Sequence, residues 1–172
     1  KAQLDLEVIE ADAFKIVIGG DNYKSPSVGE GQAEIAVSHL NLFGMNDRLD
    51  LSAQHTDGVD AYAFNYDFPI QVIRSRLAVY HSKGDTFVVE EPFDEIALES
   101  ETDTSGLQLK TLWASTASSA WHTHLSFESK ESKTSLLGIP FDFSPGSRNG
   151  ITEAHVVGFN VEYSRSGEGT GF

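Results

Sequence analysis

Apolar and polar residues alternate with period two through most of this chain. From Arg48 to Phe68 it reads RLDLSAQHTDGVDAYAFNYDF, two alternating runs on either side of a short Thr56-Asp57-Gly58-Val59 turn. In the first run Leu49, Leu51 and Ala53 are apolar, while Arg48, Asp50, Ser52 and Gln54 are polar. In the second, Tyr62, Phe64, Tyr66 and Phe68 share one face, and Ala61, Ala63, Asn65 and Asp67 share the other. A strand sends successive side chains to opposite faces, so the stretch predicts a β-hairpin with one apolar and one polar side. Gly58 is the residue expected to let the turn close.

The same pattern recurs along the chain. Phe14, Ile16 and Ile18 line one face of Ala13–Tyr23, and Ala33, Ile35 and Val37 one face of Gly31–Leu42. A strand around Leu77 and Val79 runs to Gly84. Leu107, Leu109, Thr111 and Trp113 mark the next, then Trp121, Thr123, Leu125 and Phe127, and last Val157, Phe159, Val161 and Tyr163. Lys1–Ala11 also alternates and reads as the last strand of something that begins earlier. Between these runs Lys24–Glu30 is a loop, Phe43–Asp47 a tight turn, Pro69–Ser75 a short connection and Ser115–Ala120 a small-residue turn. Thr86–Thr104 and Ser129–Thr152 read as two long loops, the first acidic. No segment has a 3.6-residue period. Eight strands with short turns predict an all-β sandwich or antiparallel barrel.

Two features favour a transmembrane barrel. Long and short connections alternate from the third connection onward, as they do between the two rims of an outer-membrane barrel. If the short turns mark one rim, then Phe14, Phe68, Trp113, Trp121 and Tyr163 lie near it on their strands' apolar faces, as an interfacial aromatic girdle would. The opposite faces carry charges of both signs, which a dry core accommodates at high cost and a water-filled lumen at little. Asp50, Asn65, Asp67, Arg74, Arg76, Lys110, His124 and Asn160 are the candidate lumen-facing residues.

Composition narrows the choice. The formal net charge of −14 argues against a nucleic-acid partner, since phosphate binding needs clustered Lys and Arg. Cysteine is absent, which removes disulfides and thiolate metal sites. No apolar run approaches the roughly 18 residues of a transmembrane helix, but a barrel leaves no such signal. A chain that begins at Lys1 without Met is expected to be processed or a piece of a longer one.

The stretch Gly20–Leu51 resembles the first barrel hairpin of the two-partner secretion transporters, the haemolysin-activator type within the Omp85 superfamily. The matching segments are Asp21-Asn22-Tyr23, Val28-Gly29, and Asn41-Leu42-Phe43-Gly44 with Asp47, Leu49 and Leu51. Tyr66-Asp67-Phe68-Pro69 matches the close of the family's fourth strand, and the likeness is diffuse after Ile70. The resemblance implies two periplasmic POTRA domains followed by a sixteen-stranded barrel. Residues 1–11 would then be the end of a POTRA-like domain and residues 12–172 the N-terminal half of the barrel. It further implies an outer-membrane location in a Gram-negative bacterium and passive secretion of an unfolded partner polypeptide. The arginine-bearing motif of the family's inward-folded loop belongs to the second half and has no counterpart here.

Other chemistry is weak. His122 and His124 share a strand face and would begin a metal site, but no third ligand is evident. The acidic residues of Glu90–Asp103 lack the spacing of a calcium loop. No nucleophile elbow, phosphate loop or zinc-protease helix occurs, so neither catalysis nor a cofactor is expected. The alternative is a self-contained eight-stranded barrel, either OmpA-like or a soluble lipocalin-like binder with Phe64, Leu125 and Phe159 turned inward around a small ligand. A surface adhesin acting through its two long loops is a third.

Overall fold

The computed structural model describes residues 12–70 and 74–165. The stretch expected to end a POTRA-like domain, residues 1–11, lies outside them. The strands are β1 (Phe14–Asp21), β2 (Gln32–Leu40), β3 (Arg48–His55), β4 (Val59–Ile70), β5 (Ser75–Phe87), β6 (Leu98–Ser115), β7 (Ser119–Leu136), β8 (Ile139–Pro140) and β9 (Ile151–Arg165). They form one antiparallel sheet in chain order, except that β9 pairs with β7 and the two-residue β8 occupies only the far end of the same edge. Among the described residues β1 pairs only with β2, and β9 only with β7, so the sheet is open.

The register carries every apolar run onto one face. One row crosses the whole sheet through Phe14, His39, Leu49, Tyr66, Val79, Leu107, Phe127 and Val157. Among the described residues nothing covers that face. Ile18 is 78% exposed, Val157 and Phe159 are 71% exposed, and Ala78 is the one buried hydrophobic residue among those described. A soluble barrel would instead bury these side chains, so the lipocalin-like arrangement with Phe64, Leu125 and Phe159 inward is not adopted.

About half of each expected long loop is strand. β5 continues to Phe87 and β6 starts at Leu98; β7 continues to Leu136 and β9 starts at Ile151. Alternation fails there because both faces are polar, and cross-strand charges replace apolar contacts. Glu101 lies between two lysines of the neighbouring strands, 2.7 Å from Lys83 Nζ and 4.0 Å from Lys133 Nζ. What remains as connection at this rim is 22–31, 56–58, 88–97 and 137–150, against 41–47 and 116–118 at the other.

The tight 56–58 turn is filled in by its neighbours. The Val28 carbonyl accepts from the Thr56 hydroxyl at 2.6 Å and from the Gly58 N–H at 2.9 Å, and Phe87 N–H donates to the Gly58 carbonyl. Gly58 is needed for space, not for a left-handed backbone: its φ lies outside that region, and a Cβ there would sit 2.4 Å from the Phe87 carbonyl oxygen.

Candidate lumenal face

The face opposite the apolar one is built from the alternate residues of the same strands. On it Asp50 stands between Ser38 and Asn65, and Asp67 pairs in register with Ala78 beside Arg76. Asp50 accepts from the Ser38 hydroxyl at 2.7 Å and from Arg48 Nε at 2.9 Å, with Asn65 Nδ2 at 3.5 Å. Arg76 holds Asp67 through both Nε and Nη2 and also donates from Nη2 to the Asn46 carbonyl at 3.1 Å. These pairings satisfy charges that would otherwise be costly to keep at a partly shielded surface.

Seven of the eight expected lumen residues lie on this face. Asp50, Asn65, Asp67 and Arg76 line one cavity of about 490 Å³, together with Asn46, Arg48 and Gln108. His124 and Asn160 line a second, of about 440 Å³, with Gln108, Ser126 and Glu162. Lys110 stands between them, paired in register with Arg76 on one side and His124 on the other. Arg74 does not follow the alternation. It sits in the turn before β5 with φ 47, and its carbonyl accepts from the Leu112 N–H at 3.2 Å. A left-handed residue rotates out of the strand's two-sided pattern, which period two does not reveal.

Two residues of this face were legible from their parity but not singled out. Tyr80 crosses Gly106, its register partner, to donate a 2.8 Å hydrogen bond to Glu128 on the next strand. A Cβ on Gly106 would fall 2.3 Å from the Tyr80 ring, so the glycine is the slot in which the ring lies. His122 and His124 do share this face, beside Glu162, yet no group of three or more His, Cys, Asp or Glu residues suited to a metal occurs among the described residues. Glu99 to Asp103, within the acidic stretch weighed for calcium, form part of strand β6.

The aromatics of the expected girdle are all on the other face. Trp121 and Tyr163 pair across β7 and β9 with ring centroids 4.6 Å apart. Trp113, the extra residue of a β-bulge, donates from Nε1 to the Thr123 hydroxyl at 2.8 Å. Phe14 lies in the row described above, Phe68 two residues nearer the short-turn rim, and Trp121 and Tyr163 six residues nearer it. The apolar band descends in the same direction. Ile18, Ile35, Ala53 and Tyr62 continue in register into Lys83, Asp103, Glu131 and Glu153. A belt that is level in a membrane steps obliquely across the register when strands are tilted and staggered, as barrel closure requires.

The family model for the haemolysin secretion/activation protein ShlB/FhaC/HecB matches residues 1–157. The chain belongs to the ShlB/FhaC/HecB family. This is a secretion family, not an enzyme family. No curated protein matches the chain. Among solved structures, this ShlB/FhaC/HecB-family chain is similar in fold to CdiB from Escherichia coli, with a TM-score of 0.79 and 14% sequence identity. The match covers 94% of the chain and 30% of CdiB, so the chain spans under a third of the length of that structure. Among the described residues no helix is long and apolar enough to cross a membrane, which says nothing against crossing by strands.

Proposed function

We propose that the chain contributes the first half of an outer-membrane β-barrel that secretes an unfolded partner polypeptide from a Gram-negative bacterium. The observation that carries this is the two-sidedness of the sheet: an uncovered apolar face backed by a polar face of paired charges. Lipid suits the first and water the second. Eight long strands are half of a sixteen-stranded barrel, and residues 1–11 would be the end of a periplasmic POTRA-like domain. Phe14, Phe68, Trp113, Trp121 and Tyr163 would sit at the headgroup level of the periplasmic leaflet. Asp50, Asn65, Asp67, Arg76, Lys110, His124 and Asn160 would line the lumen. Transport is passive in this reading, and no side chain performs a bond-breaking step.

The test is genetic and biochemical. In the source bacterium, deletion of the gene encoding the full-length protein is expected to remove one large polypeptide from the culture medium and strand it in the periplasm. A plasmid copy restores its release. An unchanged set of secreted proteins, or a full-length protein that fractionates with the soluble periplasm, would sink the proposal.

A further inference from the structure

Arg76, Lys110, His124 and Asn160 form one register row across β5, β6, β7 and β9 on the polar face. Their charges are not equally free. Arg76 is committed to Asp67 and to the Asn46 carbonyl. His124 Nε2 lies 3.7 Å from Glu162 but makes no hydrogen bond, and Nδ1 of His122, in the next row, is likewise without a partner. Lys110 has no carboxylate within ion-pair distance among the described residues. Of the acids on this face, Asp50 is held by Arg48, Asp67 by Arg76, and Glu128 by Tyr80 and Lys130, while Glu34 accepts from Gln32 and, among the described residues, Glu162 faces only His124. Lys110 is thus an exposed cation without a carboxylate partner among the described residues, set between Arg76 and His124 in the row and beside Gln108, which lines both cavities, with Asn160 one strand beyond His124.

We infer that this row is a contact site for carboxylate-bearing segments of an extended polypeptide moving along the polar face. Lys110 supplies the charge, and Gln108, His124 and Asn160 supply hydrogen-bonding flanks. The inference rests on the lumenal reading of this face. An exposed ammonium in water attracts a carboxylate weakly and releases it quickly, which suits a surface that a chain must slide over. Arg76 could not serve in the same way without giving up Asp67.

The test uses the full-length transporter in planar lipid bilayers, with hexaglutamate as the probe and hexalysine for comparison. Lys110→Glu is expected to raise the hexaglutamate concentration needed for half-block roughly two- to five-fold, the size of an exposed ion pair. Lys83→Glu, on the opposite face, leaves it unchanged. Lys110→Cys introduces a unique thiol into these cysteine-free 172 residues. Reaction with a cationic aminoethyl thiosulfonate is expected to restore the block, and reaction with an anionic sulfonatoethyl reagent to abolish it. If both reagents change conductance while hexaglutamate block is the same in every variant, the face is lumenal and the contact site is wrong. If neither reagent reaches position 110 or alters conductance, the lumenal reading fails and takes the inference with it.

Discussion

Asp47 is a carboxylate 2% exposed to solvent at the end of the 41–47 turn. It accepts from the Phe43 N–H at 3.1 Å and from the Tyr66 hydroxyl at 3.0 Å, so it fastens the turn to the neighbouring strand. Burial alone would raise its pKa. The backbone N–H groups of Phe43, Asp47 and Met45 and the hydroxyl of Tyr66 together outweigh that and hold the carboxyl below its ordinary value. A depressed folded-state pKa gives stability that is complete above the unfolded value, about 3.9, and is lost as pH falls through the lower folded value. The midpoint of urea unfolding of the full-length barrel is therefore expected to owe nothing to Asp47 titration between pH 7 and 5. Below about pH 4 it should fall more steeply in the wild type than in Asp47→Asn. Equal slopes for the two proteins in acid would show that the carboxylate is not held by these bonds. At this scale the sequence was legible only in part. Asp47 was recognisable as a motif residue of the turn, but its attachment to Tyr66 depends on β3–β4 register, which no local pattern states.

At the scale of the strand, parity was the readable quantity and length was not. Every apolar run from Phe14 to Tyr163 falls on one face because a hydrophobic face fixes register. The ends of β5, β6 and β7 were invisible because Glu99, Glu101, Asp103, Glu131 and Lys133 occupy positions that apolar residues hold nearer the other rim. β6 and β7 are each 18 residues long, against about 9–11 needed to cross a bilayer. In the proposed barrel the charged ends would stand clear of the hydrocarbon. β9 allows a test of which face meets lipid. Phe159 pairs with Leu125 on the apolar side, and Val156 pairs with Glu128 on the polar side. Phe159→Arg is expected to destabilise the folded full-length barrel by about 2–4 kcal/mol, as for an arginine near the bilayer midplane. Val156→Arg should be near neutral, since it places a cation beside Glu128. Equilibrium unfolding in lipid vesicles measures both, and equal costs would contradict the assignment of faces.

For the molecule as a whole, the open edges matter more than any single contact. β1 and β9 each present one side without a strand partner among the described residues, and unpaired backbone groups are strongly disfavoured in lipid. Neither pattern nor composition could reveal this, since eight strands suit a small closed barrel as well as half of a large one. The structure makes the choice physical. Among the described residues the apolar face has no protein cover and the sheet does not close on itself, so residues 1–172 alone should be satisfied by neither water nor bilayer. Expressed by themselves, they are expected to need detergent, to give a β-rich circular dichroism spectrum, and to run as dimers or larger species after cross-linking as free edges pair between copies. A monomer that shifts on gels with heating, as a closed barrel does, would mean that β1 and β9 join each other and would restore the eight-stranded alternative. A monodisperse monomer in plain buffer would mean that the apolar face folds inward, and the membrane assignment would fall with it.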